Sequence, residues 1–265
     1  MKFICGNDEF GEFYHLAVAG ILAKLAGIEF SVYVDNCEMG KHFLKGIGIE
    51  IDTSSPGKTE KSHLGETAQI IFSHYHTGAM KKITDKINEK AKDGKWESVV
   101  ESKFTDLLST DKKILIWIRK KTYCSHRNTN DDGIISLLKW CNENNLCPIT
   151  IGEKIDGVKS IDKFYENDFY KEDCVFKQLY SLDYLYKNCN VMASLGVMSG
   201  AMDGQALIYN NKVIFWARES DAKPRMNKVS SIVPGLIWVP LEYTNKFPPF
   251  REGDLAELER YVMRK

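Results

Sequence analysis

The sequence predicts an α/β protein in which an alternation of strands and helices runs once, is interrupted, and then runs again. Three observations carry this. Short runs rich in Val, Ile and aromatics, such as KFIC, EFSVYV and KILIWI, recur between polar or Gly-containing turns. Apolar helical patterns lie between these runs, and strand–helix–strand order implies parallel pairing, because parallel neighbours need a crossover connection. A charged, helical stretch at 79–110 separates the two series.

In the first series, KFIC (2–5) reads as a strand. Residues 13–26 read as an apolar helix closed by Gly27, and EFSVYV (29–34) as a second strand. A short helix follows over 39–44, then a strand GIEI (48–51), a polar loop TSSPGKTEKSHLGE, and a strand AQIIFSH (68–74). The stretch 79–110 reads as two amphipathic helices leading to a boundary near Asp111, with an insertion inside one domain as the alternative.

The second series begins with KKILIWI (112–118) as a strand. Thr129 to Asp132 has the form of a capping box ahead of the helix GIISLLKWC. LCPITIG (146–152) is the next strand, an aromatic-rich segment connects onward, and SLDYLYKN reads as a short helix. CNVMASLG (189–196) and NKVIFWA (211–217) read as strands around a helix starting near Gly200, followed by a strand LIWVP (236–240) and a terminal helix capped by Asp254. The economical reading is two Rossmann-like domains, residues 1–110 and 111–265.

Composition narrows the class of function. Lys plus Arg equals Asp plus Glu at 36 each, so no global field draws in a polyanion, which argues against nucleic acid as a partner. No apolar run approaches the roughly 20 residues that span a bilayer. The start MKFICGNDEF is too acidic for a signal peptide, so a cytoplasmic location is expected. Seven widely spaced cysteines without a C-x-x-C pair suggest reduced, mostly buried thiols. His74 and His76 share a face if the AQIIFSH strand continues, but no third ligand accompanies them, and no metal is expected.

Two loops at strand ends could carry chemistry. In SLGVMSGAMDGQALIY, Ser199 and Gly200 open a helix, where unpaired backbone N–H groups and the helix dipole suit a phosphate. Asp203 and Gln205 fall in its first turns, within range of ribose or sugar hydroxyls. In IRKKTYCSHRNTND, Arg119, Lys120, Lys121 and Arg127 follow a strand, and the arginine fork suits a diphosphate. A packing turn and a solvated basic loop are the respective alternatives. At the other end of the chain, Asp8, Glu9 and Glu12 compete for the role of a carboxylate base, and His15 is a further candidate. Their alternative reading is simple helix-start acids, since the first helical turn favours negative charge.

On these residues the chain resembles the GT-B glycosyltransferases, in which two Rossmann-like domains face each other, one holding the acceptor and the other the nucleotide sugar. GEFYHLAVAGILAKLAGIEFSVYV resembles the start of the heptosyltransferase family, where a G-D turn, a hydrophobic pair and a His open the first helix. The resemblance implies Glu12 as the catalytic base, after Gly11 and three residues before His15, with Glu in place of the family's Asp. SGAMDGQALIYNNKVIFWA resembles the family's second loop and helix, keeping Ser199 and Gly200 but with Met198 for Asp and Asp203 for His. RKKTYCSHRNT is similar to the Arg-containing phosphate loop of fucosyltransferases of the same architecture.

The expectation is therefore a metal-independent glycosyltransferase, moving a sugar from a nucleotide-sugar donor to a hydroxyl on a small molecule, glycan or protein, with no cofactor beyond the donor. Glu12, Asp8 and His15 form the catalytic set. Arg119, Lys121, Arg127, Ser199 and Gly200 hold the diphosphate, and Asp203 and Gln205 the sugar or ribose. The resemblance also implies that the last helix packs back on the first domain. A non-hydrolysing nucleotide-sugar epimerase and an inactive sugar-nucleotide-binding protein are the alternatives.

Overall fold

The computed structural model describes residues 2–5, 10–35, 37–54, 64–120, 128–161, 164, 168–171, 173–197, 199–218, 225–241 and 252–263. The first sheet is small and wholly parallel: β1 (Lys2–Cys5), β2 (Ser31–Val34) and β3 (Glu50–Ile51), in that order. Helix α1 (Phe10–Leu25) joins β1 to β2, and α2 (Glu38–Gly46) joins β2 to β3. Residues 12–23 of α1 are all buried, so this helix, apolar except at Glu12 and His15, lies inside the molecule. It ends at Gly27, whose φ of 70° allows Ile28 N–H to reach the Ala23 carbonyl at 2.9 Å, while Gly27 N–H reaches that of Lys24.

The segment expected to be a strand at 68–74 is instead α3 (Leu64–His74). Thr67, Ala68, Ile70 and Ile71 are buried, a spacing that breaks strand alternation and forms a helical face. Gln69 and Ser73, four residues apart, are hydrogen-bonded at 3.0 Å as helix neighbours. His74 thus ends α3, and His76 caps α4 (Thr77–Asp93) by accepting from Ala79 N–H at 3.1 Å, so the two histidines do not share a strand face. After α5 (Trp96–Phe104), a 3₁₀ turn (Thr105–Leu107) leads to the second sheet.

The second sheet holds β4 (Lys113–Ile118), β5 (Cys147–Gly152), β6 (Lys159–Ile161), β7 (Val191–Val197), β8 (Val213–Arg218) and β9 (Leu236–Leu241). Its order is β6-β5-β4-β7-β8-β9, with every pair parallel. Counted within the sheet this is 3-2-1-4-5-6, the Rossmann order. The intervening helices are α6 (Asp131–Glu143), α7 (Asp168–Lys171), α8 (Cys174–Asn188), α9 (Gly200–Tyr209) and α10 (Arg225–Ser230), and α11 (Glu252–Met263) follows β9. The edge strand β6 escapes the sequence reading because it is three residues long.

Side chains of the central strands alternate between two layers. Ile114, Ile116 and Ile118 of β4 face a cluster with Leu137 and Trp140 of α6, whereas Leu115 faces Leu182 and Leu185 of α8. Leu258 and Val262 of α11 belong to the first of these clusters, and Lys212 Nζ donates to the Val262 carbonyl at 3.3 Å. The terminal helix therefore packs on the second sheet and does not return to the first.

The first sheet lies within residues 2–51 and the second within residues 113–241, yet the largest apolar cluster is continuous between them. Phe13 and Tyr14 of α1 and Phe43 of α2 join Phe176 of α8, Met202 and Leu207 of α9, and Phe215 of β8. At α1–α9 the helices of the two sheets pack directly on each other.

Candidate functional site

Strand order reverses direction between β4 and β7, which are adjacent in the sheet but leave it toward opposite sides. In open α/β sheets the crevice outside the carboxyl ends at such a switch point is where ligands bind. Here β4 delivers Arg119 and β7 delivers Ser199 and Gly200. Gly196, near the end of β7, permits this close approach: a Cβ there would lie 2.9 Å from Met202 Sδ and 3.0 Å from Trp117 Cβ.

Ser199 is the extended N-cap of α9, with φ −141° and ψ 129°, and its side chain makes no capping hydrogen bond. The α9 N-terminus consequently presents backbone N–H groups and the positive end of its dipole at the switch point. Arg119 is held from three directions. Its N–H donates to Thr129 Oγ1 at 2.9 Å, its carbonyl accepts from Thr129 N–H at 2.8 Å, and its Nη1 donates to Asn128 Oδ1 at 2.7 Å. The expected Thr129 capping box is therefore absent. Thr129 anchors Arg119, and Asn130 caps α6 by accepting from Asp132 N–H at 2.8 Å. Lys120 pairs with Asp131 at 2.9 Å, while Lys121, Arg127 and Met198 lie outside the described residues.

The acidic candidate sits on α1. The helix begins at Phe10, three residues before the apolar periodicity starts, and this puts Glu12 in its first turn, 8% exposed. Asp8 and Glu9 lie outside the described residues. One turn further on, fully buried His15 meets Asp203 of α9, with Nε2 and Oδ2 3.0 Å apart. This bond brings the α1 first turn and the α9 first turn into one neighbourhood, because Glu12 is one turn from His15 and Gly200 one turn from Asp203.

Asp203 and Gln205, expected to touch sugar or ribose, face inward at 1% and 0% exposure. Gln205 Oε1 accepts from Ser194 Oγ at 3.2 Å. Beside that pair, the Tyr186 hydroxyl donates to the Lys212 carbonyl at 2.6 Å. Asp203 lies on the side of α9 that meets α1 and Gln205 on the side that meets β7, so their work is to join elements. His15 likewise lies in the core and not on a rim. Next to the His15–Asp203 bond, Tyr14 lies against Gly204: a Cβ on Gly204 would come within 2.6 Å of the Tyr14 ring. Burial pushes the Tyr14 hydroxyl pKa well above its ordinary value, with Cys174 and Asp203 adding to the shift.

Two elements of this region were not found by sequence reasoning. Asn128 and Thr129, the anchors of Arg119, were hidden because polar residues before a helix read as caps. A second His–Asp pair, His42 with Asp173, joins residues 131 positions apart and left no local signal. Among the described residues no group of three or more His, Cys, Asp or Glu side chains could hold a metal ion, and no helix is long and apolar enough to cross a membrane. Cys141, Cys147, Cys174 and Cys189 are free thiols, and burial pushes Cys141 up to about 12 and Cys174 to about 11.

What the arrangement can do follows from its charges. A fixed guanidinium and a helix N-terminus at one switch point can hold an anion, and a carboxylate one helix away can accept a proton. No family model and no curated protein matches the chain.

Proposed function

We propose that the chain is a glycosyltransferase that moves a sugar from a nucleotide-sugar donor to a hydroxyl acceptor, on a GT-B-like plan with residues 1–110 serving the acceptor and 111–265 the donor. The observation that carries this reading is the convergence at the β4/β7 switch point: Arg119 from one strand, the Ser199–Gly200 helix start from the other, and α1 bonded one turn away through His15–Asp203. In the reaction, the acceptor oxygen gives its proton to the Glu12 carboxylate and forms a bond to the anomeric carbon. The bond from that carbon to the diphosphate breaks, and the nucleoside diphosphate leaves with the electron pair. Arg119 and the α9 amides neutralise the departing charge, so the reading needs no metal for that step. Asp203 and His15 act as positioning residues within it.

Thermal melting with UDP, GDP, ADP and CDP tests the donor site, because a ligand held only by the folded state raises the apparent Tm. At least one diphosphate is expected to do so. Arg119→Ala should weaken its binding about 10- to 100-fold, the equivalent of one charged hydrogen bond of about 1.5–3 kcal/mol. No response to any of the four, or an unchanged response in Arg119→Ala, would end the donor assignment. With the responding nucleotide's sugars as donors, Glu12→Gln should lower transfer about 10²–10⁴-fold while leaving the Tm response intact. Donor binding without transfer or isomerisation in the wild type would instead favour a sugar-nucleotide-binding protein.

A further inference from the structure

Another meeting of the helices of the two sheets is that of α2 with the start of α8, and a cleft opens beside it. Phe43 and Phe176 pack on each other there, and beside them lies the cleft, of about 370 Å³, with Glu38, His42, Lys171 and Asp173 among its polar lining residues. Asp173 occupies the N-cap position of α8 in the left-handed region, at φ 54° and ψ 28°, yet its side chain makes no cap hydrogen bond. Its carboxylate instead accepts from His42 Nε2, and Lys90 Nζ stands 3.8 Å from the same oxygen. A strained backbone and a forgone cap at one residue are features that concentrate at working sites.

The bond to Asp173 sets the chemistry of His42. A carboxylate only accepts, so Nε2 carries the proton and the lone pair of the neutral ring is on Nδ1. The His42 side chain is 54% exposed, which leaves the ring within reach of a ligand. Charges around the cleft are matched: Asp173 with Lys90, Lys171 with Asp168, and Glu38 with Lys41 at 2.7 Å. No excess of either sign selects an ion. Carboxylates and an imidazole lone pair in a cleft of matched charge suit a ligand that is uncharged and rich in hydroxyl donors.

The cleft opens on the same sheet edges as the switch point. Helix α2 starts just beyond the carboxyl end of β2, and α8, running back to the start of β7, begins at the carboxyl edge of the second sheet. We infer that this cleft binds an uncharged sugar, with His42 Nδ1 accepting a hydrogen bond from one of its hydroxyls and Asp173 fixing the ring. To call that sugar the acceptor rests on the glycosyl-transfer reading, whereas its binding does not.

The test follows the imidazole resonances of His42 by ¹⁵N-edited NMR of the full chain. Methyl glucoside, methyl galactoside, methyl mannoside and methyl N-acetylglucosaminide are added in turn at millimolar concentration. At least one should move the His42 signals saturably, with about tenfold weaker binding in Asp173→Asn; in His42→Ala, followed by the backbone amide signals of α2 and α8 that the same glycoside moves in the wild type, no binding is expected. Melting of both variants in parallel shows that they are folded. If none of the glycosides moves the His42 signals, or Asp173→Asn and His42→Ala bind as the wild type does, the inference falls. The same samples are melted with the nucleoside diphosphates. A diphosphate response with silent glycosides removes this cleft alone, and glycoside binding without a diphosphate response removes the transfer reading alone.

Discussion

Among the junctions between the helices of the first sheet and those of the second, α1–α9 and α2–α8 each contain one histidine bonded to one aspartate. At α1–α9 the pair is His15–Asp203, with side chains 0% and 2% exposed; at α2–α8 it is His42–Asp173, at 54% and 21%. The functional groups are the same, so the surroundings decide what each pair does. Gly204 lets the Tyr14 ring press against α9 and exclude water from the first junction. At the second, Asp173 reaches sideways from a left-handed turn, and the cleft beside it stays open. A buried pair fixes how two helices sit, whereas an exposed one keeps a polar ring oriented at little gain in stability.

The largest effect should come from breaking the buried pair. His15→Leu removes the imidazole facing a carboxylate inside the core and is expected to destabilise the protein by about 3–5 kcal/mol. Urea denaturation measures this as a lower midpoint at unchanged slope. In the double variant His15→Leu/Asp203→Leu, both partners become apolar and a large part of the loss should return. A double variant as unstable as the single one would show that the junction depends on the shape of these side chains more than on their bond.

The contrast between the junctions also marks what was legible in the sequence. KFIC, KILIWI, VMASLGV and VIFWAR announce themselves as strands because a parallel sheet covered on both faces selects continuous β-branched and aromatic runs. The switch-point pairing of Arg119 with the α9 start was equally accessible, since both follow strands whose carboxyl ends must share one edge. The run at 68–74 reads as a strand although so short an apolar stretch fits periods of 2 and 3.6 alike, and packing against α1 and α10 decides for the helix. Asp203 and Gln205 were recognised as polar residues near a helix start. Which way they point depends on α1 and β7, which lie far off in the chain. His42 and Asp173 lay beyond local reading altogether.

The exposed pair supplies the smallest expected effect and the sharper test of the comparison. Asp173→Gly removes a partly exposed ion pair, which contributes about 0–1 kcal/mol. It also puts glycine where φ is 54°, relieving a strain of about 1 kcal/mol, the low end of the range because aspartate tolerates this region better than most residues. The two changes oppose each other, so the net change in stability should lie within about 1 kcal/mol of zero, read as a nearly unmoved Tm. The His42 imidazole signals should nevertheless broaden or shift as the ring loses its fixed tautomer. A loss approaching that of His15→Leu would mean that the α2–α8 junction also depends on its pair to hold the helices together, and the distinction between a structural and an available His–Asp pair would collapse.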